Sequence, residues 1–346
     1  MSVGDARIED MRDWLGTLGW PRDCRLEPAS ADASFRRYFR VWRADGATRV
    51  VMDAPPGKED TGPYLRVTRL LAACGVHVPE IDAVDTRRGL LLLEDLGQES
   101  MLARLQGGGD ADQLYDAALQ ALARMQLHGA AGAASLRRYD RAELEREMQL
   151  LPAWYCARHL QLQPTTEDAE VLAEIFDLLV REALAQPVVL VHKDYHSRNL
   201  MITASRSPGV IDFQDALAGP IGYDLVSLLK DCYIRWPRAR VERWVGGYRQ
   251  RLLAAGAPAG ADGAQFLRWF DMIGLQRHIK VLGIFARLFY RDGKPGYLAD
   301  LPLTLDYVLD TAARYPELGR FGSWARTRLA PGLAAANARA LGGAST

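Results

Sequence analysis

Cysteine is scarce in this chain, and the few cysteines present form no recognisable pattern. Four of them are spread over 346 residues, and no two stand in a CxxC pair or at the spacing of metal ligands. This distribution argues against a disulfide framework and against a zinc site. We therefore expect reduced thiols, mostly in the core of a cytoplasmic protein, at Cys24, Cys74, Cys156 and Cys232.

An excess of charge and a long hydrophobic run are also absent. Lys plus Arg and Asp plus Glu both number 43, and a formal net charge of zero argues against a nucleic-acid-binding protein. No stretch approaches the roughly 18 apolar residues that a membrane span needs. The first ten residues contain acids and no apolar run, so we expect no secretory signal. The sequence thus indicates a globular protein without a membrane, nucleic-acid or obligate protein partner.

Residues 1–97 alternate short hydrophobic runs with turn residues, which is typical of a small sheet. They begin with an amphipathic helix that carries Ile8, Met11, Leu15 and Leu18 on one face. Five strand-like segments follow, with ADG at 44–46 as a hairpin turn, and a helical stretch at 63–75 comes after the third. We predict a mostly antiparallel sheet with one inserted helix.

Residues 98–346 are dominated by helical periodicity. Strand-like runs return only between Val188 and Phe213, as VVLVH, NLMIT and GVIDF, and helices resume after Gly222. The pattern predicts an α+β chain with a sheet-rich N-lobe, 1–97, and a larger helical C-lobe, 98–346. The hinge would lie near LEDLG, and a cleft between two such lobes is a natural ligand site.

One stretch, VHKDYHSRNLM at 191–201, is far more polar than its apolar flanks. Asp194 follows a strand-like run, Asn199 comes five residues later, and Asp212 ends another short strand. Phosphoryl transfer needs a carboxylate that accepts the proton of the attacking hydroxyl, and oxygen ligands that hold Mg²⁺ on the phosphates of ATP. Any one of these residues alone would be an ordinary turn residue, but all three at this spacing favour that chemistry.

The segments HKDYHSRN and IDFQDA together resemble the catalytic and metal loops of the aminoglycoside phosphotransferase and choline kinase superfamily. Its members carry His-x-Asp-x-x-x-x-Asn followed by Ile-Asp-Phe-x-Asp/Glu, and His196 is typical of kinases that act on small molecules. The resemblance implies a two-lobe fold like that of the protein kinases, with ATP and Mg²⁺ as cofactors.

The same resemblance implies roles for individual residues. Asp194 would be the catalytic base, and Asn199 and Asp212 would be the Mg²⁺ ligands. Asp215 would either assist the metal or brace its loop. Two further residues would support the loops: His192 by a hydrogen bond to the metal loop, and Asp224 by bracing the catalytic loop.

The expected nucleotide clamp is only partly present. LLLLEDLG resembles the hinge, so the backbone groups of Glu94, Asp95 and Leu96 would meet adenine. There is no GxGxxG; in its place stands SADASFRRY at 30–38, either a phosphate loop in which Ser34 donates a hydrogen bond or a plain hairpin turn.

The third strand also lacks the lysine that pairs with phosphates in kinases. Met52 and Asp53 occupy that region, and the following helix, 63–75, contains no acid that could pair with a lysine. Another cation must neutralise the phosphates, and the candidates are Arg36, Arg37 and Lys58.

A narrower resemblance extends over most of the chain, through segments such as SADASFRRYFRV, GVIDFQDALAGPIGYDLVSLLKDCYIRWP and LQRHIKVLGIFARL. These are similar to bacterial kinases that phosphorylate the anomeric hydroxyl of N-acetylmuramate and N-acetylglucosamine in peptidoglycan recycling. The resemblance implies an amino sugar and ATP as substrates. The alternatives are a kinase for another alcohol, such as an aminoglycoside, choline or homoserine, and a non-catalytic kinase-like binding module.

The acceptor site is the part that the sequence describes least. Arg198 on the catalytic loop could contact sugar hydroxyls or the lactyl carboxylate of N-acetylmuramate. Three residues of one helical stretch, His278, Lys280 and Arg287, are either acceptor contacts or, as we expect, a solvated face. Trp154 and Trp236 could stack on a sugar ring, although such residues are more often packing.

Overall fold

The computed structural model describes residues 6–31 and 35–342, which divide into two compact units. The first unit combines the described residues up to Gly109 with the segment Asn199–Asp215. The second combines Asp110–Arg198 with the described residues from Ala216 onward. Residues 98–109 and 199–215 therefore cluster with the first unit, whereas the sequence analysis placed everything after residue 97 in the second lobe.

The described residues form nine strands and thirteen α-helices. The strands are β1 (Leu26–Ala31), β2 (Arg37–Trp42), β3 (Thr48–Asp53), β4 (Ile81–Asp85), β5 (Leu90–Glu94), β6 (Val188–Val191), β7 (Leu200–Met201), β8 (Gly209–Val210) and β9 (Leu217–Pro220). The helices are α1 (Ala6–Thr17), α2 (Gly62–Ala73), α3 (Met101–Gln106), α4 (Ala111–His128), α5 (Ala130–Ala133), α6 (Arg141–Met148), α7 (Thr166–Leu184), α8 (Gly222–Leu229), α9 (Arg238–Ala254), α10 (Gly263–Asp292), α11 (Leu301–Ala312), α12 (Gly319–Trp324) and α13 (Leu333–Gly342). Two π-helical segments, Leu151–His159 and Ala325–Leu329, and two 3₁₀ segments, Pro295–Asp300 and Pro316–Leu318, complete the set.

A five-stranded antiparallel sheet is the centre of the first unit. Its strand order is β1-β2-β3-β5-β4, and α2 is inserted after the third strand, so the predicted α+β architecture is confirmed. The predicted turn between β2 and β3 is also present, because Gly46 adopts a positive φ of 84° that L-residues with side chains rarely take. One face of the sheet packs on α1 through Met11, Trp14 and Leu15.

The segment Asn199–Asp215 is a short hairpin in the first unit. β7 and β8 pair antiparallel, with Leu200 opposite Val210. The hairpin is fixed by two backbone hydrogen bonds, from Ile202 to the Glu99 carbonyl at 2.8 Å and from Val210 to the His77 carbonyl at 2.7 Å. A Cβ at position 209 would lie 2.8 Å from a side-chain carbon of Leu96, so a larger residue here would require the Leu96 side chain to shift.

The second unit is mainly helical and is organised around α10. This 30-residue helix buries nearly its whole middle section, including the polar residues Asp271, Gln276 and His278. A two-stranded antiparallel ladder joins β6 to β9. The strand β9 was not predicted from the sequence, which placed only loop and helix after Phe213. Within residues 6–31 and 35–342, no helix combines the length and apolar character that a membrane crossing requires.

The four cysteines are buried and unpaired. Each contributes its side chain to a hydrophobic environment, and burial raises the pKa of all four thiols, to about 12 at Cys156. Thiols with raised pKa values carry little thiolate at neutral pH and are poor nucleophiles. They therefore serve as small apolar packing residues, as expected from their scattered positions.

Candidate active site

In the first unit, the hairpin of β7 and β8 brings Asn199 and Asp212 together. The side-chain amide of Asn199 donates to Asp212 Oδ2 at 3.3 Å, and the backbone N–H of Ile211 donates to the Asn199 carbonyl at 3.0 Å. Gln214 Nε2 donates to the other carboxylate oxygen of Asp212 at 2.7 Å. The proximity follows from the pairing of two short strands on either side of one turn, as the spacing predicts.

The backbone of Asp212 adopts a positive φ of 64°, which is uncommon for a residue other than glycine. The next residue, Phe213, is fully buried and packs on the ring of Tyr64 from α2, with ring centroids 4.9 Å apart. The left-handed turn and the anchored aromatic ring fix the direction of the Asp212 carboxylate. Conformations of this kind persist where the surrounding structure holds them, and they are frequent at functional sites.

Asn199 and Asp212 offer the hard oxygen ligands that Mg²⁺ prefers. Among the described residues, no group of three His, Cys, Asp or Glu side chains could hold a metal ion by itself. Mg²⁺ is usually bound through one or two carboxylates together with phosphate oxygens and water, so a complete protein cage is not needed. The pair fits a metal ion that arrives with a nucleotide. Asp215 is exposed and follows Asp212 by three residues.

In the second unit, Asp194 lies in a cationic environment. Burial by itself would raise the pKa of this carboxyl group, but nearby positive charges, first that of Lys280 and then that of Arg277, outweigh burial and lower the pKa. The backbone N–H of Asp194 donates to His192 Nδ1 at 3.2 Å, which requires that nitrogen to be unprotonated. Asp194 is therefore held as a carboxylate, the form that can accept a proton.

Asp224 holds the chain just before Asp194. Its carboxylate is fully buried at the start of α8 and accepts hydrogen bonds from the backbone N–H groups of His192 at 2.7 Å and Lys193 at 3.0 Å. Burial raises the pKa of Asp224 to about 7, against the lowering effect of these two hydrogen bonds. Lys193 has a positive φ of 85°, so this carboxylate braces a turn that an unsupported backbone would seldom adopt.

Asp231 holds the other end of the loop, and sequence reasoning did not single it out. Asp231 is 1% exposed and accepts hydrogen bonds from the backbone N–H and the hydroxyl of Ser197 and from the backbone N–H of Tyr233. The only signal in the sequence is an acid two residues after the end of the apolar helix α8. A carboxylate with no solvent access needs several donors, and these three supply them.

Buried charges connect the neighbourhood of Asp194 to α6 and α10. Glu147, which is 2% exposed, lies 3.0 Å from the ammonium groups of both Lys193 and Lys280. Lys280 also donates to the hydroxyl of Tyr223 at 2.9 Å. The expectation that His278 and Lys280 form a solvated face is wrong, because both are buried; Arg287 is half-buried.

Arg277 is a further cation that the sequence analysis missed. It is 5% exposed, and its guanidinium donates to Cys232 Sγ at 3.6 Å. Burial lowers its pKa, but nearby groups, among them Tyr223 and Asp194, raise it by more, so Arg277 stays charged. An arginine buried beside the candidate base adds positive charge to this region of the second unit.

His196 and Arg198 flank the aromatic ring of Tyr233. The His196 ring meets Tyr233 edge-on with centroids 5.4 Å apart, and Arg198 Cζ lies 3.5 Å from the Tyr233 centroid. The Nδ1 atom of His196 is buried without a hydrogen-bond partner among the described residues. Burial lowers the pKa of His196, so its ring is neutral at pH 7.

The position of the missing kinase lysine is occupied by an ion-paired acid. Asp53, at the end of β3, is fully buried and accepts hydrogen bonds from Arg37 at 2.6 and 3.0 Å and from Arg7 at 3.0 Å. Of the three candidate cations, Arg37 is thus engaged by Asp53. Lys58 lies over the exposed ring of Phe35 at 5.0 Å, and Arg36 is half-buried. Ser34 lies outside the described residues.

The predicted hinge is held by its side chains. Asp95 forms a two-pronged ion pair with Arg40, at 2.5 and 2.8 Å, and Arg40 also donates to the Gly97 carbonyl at 3.0 Å. Glu94 contacts a ring nitrogen of His77 at 3.2 Å, and Leu96 is buried against Gly209. The side chains of Glu94, Asp95 and Leu96 are thus held by neighbouring residues, and this fixes the backbone of the segment.

Both candidate tryptophans make contacts that are typical of ordinary packing. Trp236 donates through Nε1 to the Tyr115 hydroxyl at 2.8 Å and meets the Trp244 ring edge-on. Trp154 lies in the π-helical segment with the Arg158 guanidinium 5.9 Å from its ring. The packing alternative is the one that these contacts favour.

The fold is shared with solved phosphotransferases. The ADP-bound crystal structure of aminoglycoside phosphotransferase APH(2'')-Ib matches with a TM-score of 0.57 at 16% identity, covering 89% of this chain and 99% of that chain. At such low identity the likeness concerns the fold, which is that of the aminoglycoside and choline kinases.

Sequence comparison reaches further. A protein of Pseudomonas aeruginosa PAO1 named N-acetylmuramate/N-acetylglucosamine kinase is 47% identical over 328 residues, covering 92% of this chain and 96% of the relative. A protein of the same name from Pseudomonas putida KT2440 is 47% identical over 332 residues, covering 93% of this chain and 96% of the relative. The profile of the phosphotransferase enzyme family matches residues 25–267. The chain belongs to the phosphotransferase enzyme family.

Proposed function

We propose that this protein is an ATP-dependent kinase that phosphorylates the anomeric hydroxyl, at C1, of N-acetylmuramate and N-acetylglucosamine in peptidoglycan recycling. The observation that carries the proposal is the 47% identity, over more than nine-tenths of the chain, to relatives named N-acetylmuramate/N-acetylglucosamine kinase. The protein works in the cytoplasm, where its unpaired cysteines stay reduced.

Asp194 acts as the general base. The anomeric oxygen attacks the γ-phosphorus of ATP, the bond to the β-phosphate oxygen breaks, ADP leaves, and the hydroxyl proton passes to the Asp194 carboxylate. A hemiacetal hydroxyl is more acidic than an ordinary alcohol, so one ionised carboxylate is a sufficient base. The cations that lower the pKa of Asp194 keep it ready to accept that proton.

Asn199 and Asp212 would hold a Mg²⁺ ion that arrives with the phosphates of ATP. The ion neutralises charge on the transferred phosphoryl group when it is bound. This chain's own contribution is a carboxylate fixed by the left-handed turn at Asp212 and the donors Asn199 and Gln214. Asp215 either assists the metal ion or braces its loop.

The remaining assigned residues bind ATP or position Asp194. Backbone groups of Glu94, Asp95 and Leu96 meet adenine, and Ser34 and Arg36 contact phosphates. Asp224 positions Asp194 through the two backbone hydrogen bonds to the preceding residues. His192 positions it through the ring nitrogen that accepts the Asp194 N–H.

The charge around Asp194 bears on the alternative acceptors. An aminoglycoside carries several ammonium groups and calls for acidic surroundings, whereas Lys280 and Arg277 add positive charge here. A neutral or anionic sugar is the better match. The second alternative, a non-catalytic binding module, is disfavoured because Asp194, Asn199 and Asp212 are all retained.

One assay decides between these possibilities. The purified protein is mixed with ATP, Mg²⁺ and one acceptor at a time from N-acetylmuramate, N-acetylglucosamine, kanamycin and choline, and ADP release is followed. The expected result is turnover of the two amino sugars only, with phosphate on C1 by phosphorus NMR, and loss of turnover with retained ATP binding in Asp194→Asn. Turnover of kanamycin or choline alone, or nucleotide binding without ADP release, would reject the proposal.

A further inference from the structure

Arg198 presents a charged, rigidly held guanidinium on the catalytic loop. Its Cζ lies 3.5 Å from the centroid of the Tyr233 ring, and its side chain is 44% exposed. A guanidinium this close to an aromatic face is held by a cation–π contact, and its N–H donors can still meet a planar anion with two oxygens. The contact thus holds donors that remain open to solvent.

The ion pairing of Arg198 is weak by comparison with similar arginines. Among the described residues, its acidic partner is Asp300, with an N–O distance of 3.9 Å. Arg235 is equally exposed and also lies over a tyrosine, Tyr307, yet Asp306 and Asp310 hold it at 3.2 and 2.5 Å. Arg198 therefore keeps N–H donors that can bind a ligand. The donors of Arg235 are already engaged by protein carboxylates.

A single carboxylate fixes both Arg198 and the ring beneath it. Asp231 accepts from the backbone of Ser197, next to Arg198, and from the backbone of Tyr233. The same ring contacts His196, whose backbone N–H donates to the Asp194 carbonyl at 3.0 Å. The guanidinium is thereby held in a fixed relation to the candidate base, within one unit of the protein.

We propose that Arg198 binds the carboxylate of the lactyl ether of N-acetylmuramate and makes this sugar the preferred acceptor over N-acetylglucosamine. The inference rests on the proposed function. The two sugars differ in the lactyl group at O3, and its carboxylate is the only charge on either of them. A charge-assisted, two-pronged hydrogen bond to Arg198 discriminates between them, since N-acetylglucosamine offers it no anion.

The charges around Arg198 suit this assignment. Asp300 is the acid that an incoming carboxylate would approach, and burial raises the pKa of Asp300, which eases its protonation when a second carboxylate arrives. The region holds three buried acids and three cations in balance. The acids are Asp194, Asp231 and Glu147, and the cations are Arg277, Lys280 and Lys193. The region is therefore not so acidic that it would repel an anionic sugar.

The test measures kcat/KM for both sugars in the full-length enzyme and its Arg198→Gln and Arg198→Lys variants. The ratio of kcat/KM for N-acetylmuramate to that for N-acetylglucosamine is expected to fall about 10- to 100-fold in Arg198→Gln, through KM for N-acetylmuramate. Arg198→Lys keeps the charge without the planar fork, so its ratio should lie between those of the wild type and Arg198→Gln. The methyl ester of N-acetylmuramate is neutral, so its kcat/KM should be the same in the wild type and in Arg198→Gln.

Arg235→Gln is the matched control, and its ratio should equal that of the wild type. A ratio within twofold of the wild type in Arg198→Gln would overturn the inference. Equal losses for both sugars with a raised KM for ATP would also overturn it, by assigning Arg198 to the phosphates. Failure of the proposed function itself is a separate result, namely no turnover of either sugar by the wild type.

Discussion

The ammonium group of Lys280 lies 3.0 Å from the carboxylate of Glu147, and both side chains are less than a tenth exposed. Glu147 forms an ion pair with Lys193 at the same distance, so one buried acid lies between two lysines. Removing two charges from water is costly, and a pair of this kind persists when its members are well hydrogen-bonded. Tyr139 and Tyr223 supply such bonds, from Tyr139 to Glu147 and from Lys280 to Tyr223.

Lys280 is expected to set the acid limit of catalysis. Its charge is the largest of the influences that lower the pKa of Asp194, and its own pKa is raised, so it stays protonated. A base must be ionised to work, and activity is lost as the pH falls through its pKa. Lys280→Met removes the charge, raises the pKa of Asp194, and should move the acid limb of the kcat profile to higher pH.

The measurement is kcat against pH at saturating ATP and sugar, with thermal unfolding to show that each variant is folded. Lys280→Arg keeps the charge and should keep the acid limb near that of the wild type. An unshifted limb in folded Lys280→Met would remove Lys280 from this role.

Asp224 is expected to make stability depend on pH. Its pKa is raised from 3.8 to about 7, chiefly by burial, so between these values the folded chain holds a proton that the unfolded chain has released. Stability from this group is present at low pH and falls as the pH rises from about 4 to 7. Asp224→Asn cannot titrate, so the free energy of unfolding of the wild type minus that of Asp224→Asn should decrease across this range.

Urea unfolding at several pH values gives this difference directly. A flat difference would mean that Asp224 is ionised in the folded state across the range. Asp224→Asn should also lower kcat more than it raises KM, because an amide offers one oxygen acceptor to the two N–H donors that position Asp194.

Asp212 is expected to govern the magnesium requirement. Asp212→Asn removes the carboxylate charge while keeping the side-chain size, so the Mg²⁺ concentration for half-maximal ADP release should rise at least about tenfold, with a large loss of kcat. Asp45→Asn, a turn carboxylate that accepts from Ala47 in the β2–β3 hairpin, is the matched control and should behave as the wild type. An unchanged Mg²⁺ dependence in Asp212→Asn would contradict the assignment.

Local patterns were the part of the fold that the sequence could predict. The alternation of apolar and polar residues specified the antiparallel sheet, and the short strands around Asn199 and Asp212 specified their approach, because most of these pairings join consecutive strands. The strand β9 escaped prediction. Its four residues, LAGP, have no alternation and contain glycine and proline, and it exists only because β6, 25 or more residues earlier, is available for pairing.

Buried polar groups were the part that periodicity could not resolve. His278 and Lys280 were expected on a solvated face because charged residues on a helix are usually exposed. α10 is covered on most sides, and the charge of Lys280 is matched by Glu147 from α6, more than 130 residues away in sequence. Asp231 was missed for the same reason, since its partners Ser197 and Tyr233 are assembled by tertiary structure.

The two neighbouring arginines Arg36 and Arg37 are expected to differ in function. Arg37 is held by the buried Asp53, so Arg37→Gln should lower the free energy of unfolding by about 1–3 kcal/mol with little change in KM for ATP. Arg36 is the proposed phosphate contact, so Arg36→Gln should raise KM for ATP about tenfold or more. Urea unfolding and ATP titrations of both variants separate the two roles, and the reverse pattern would show that Arg37 takes the place of the missing lysine.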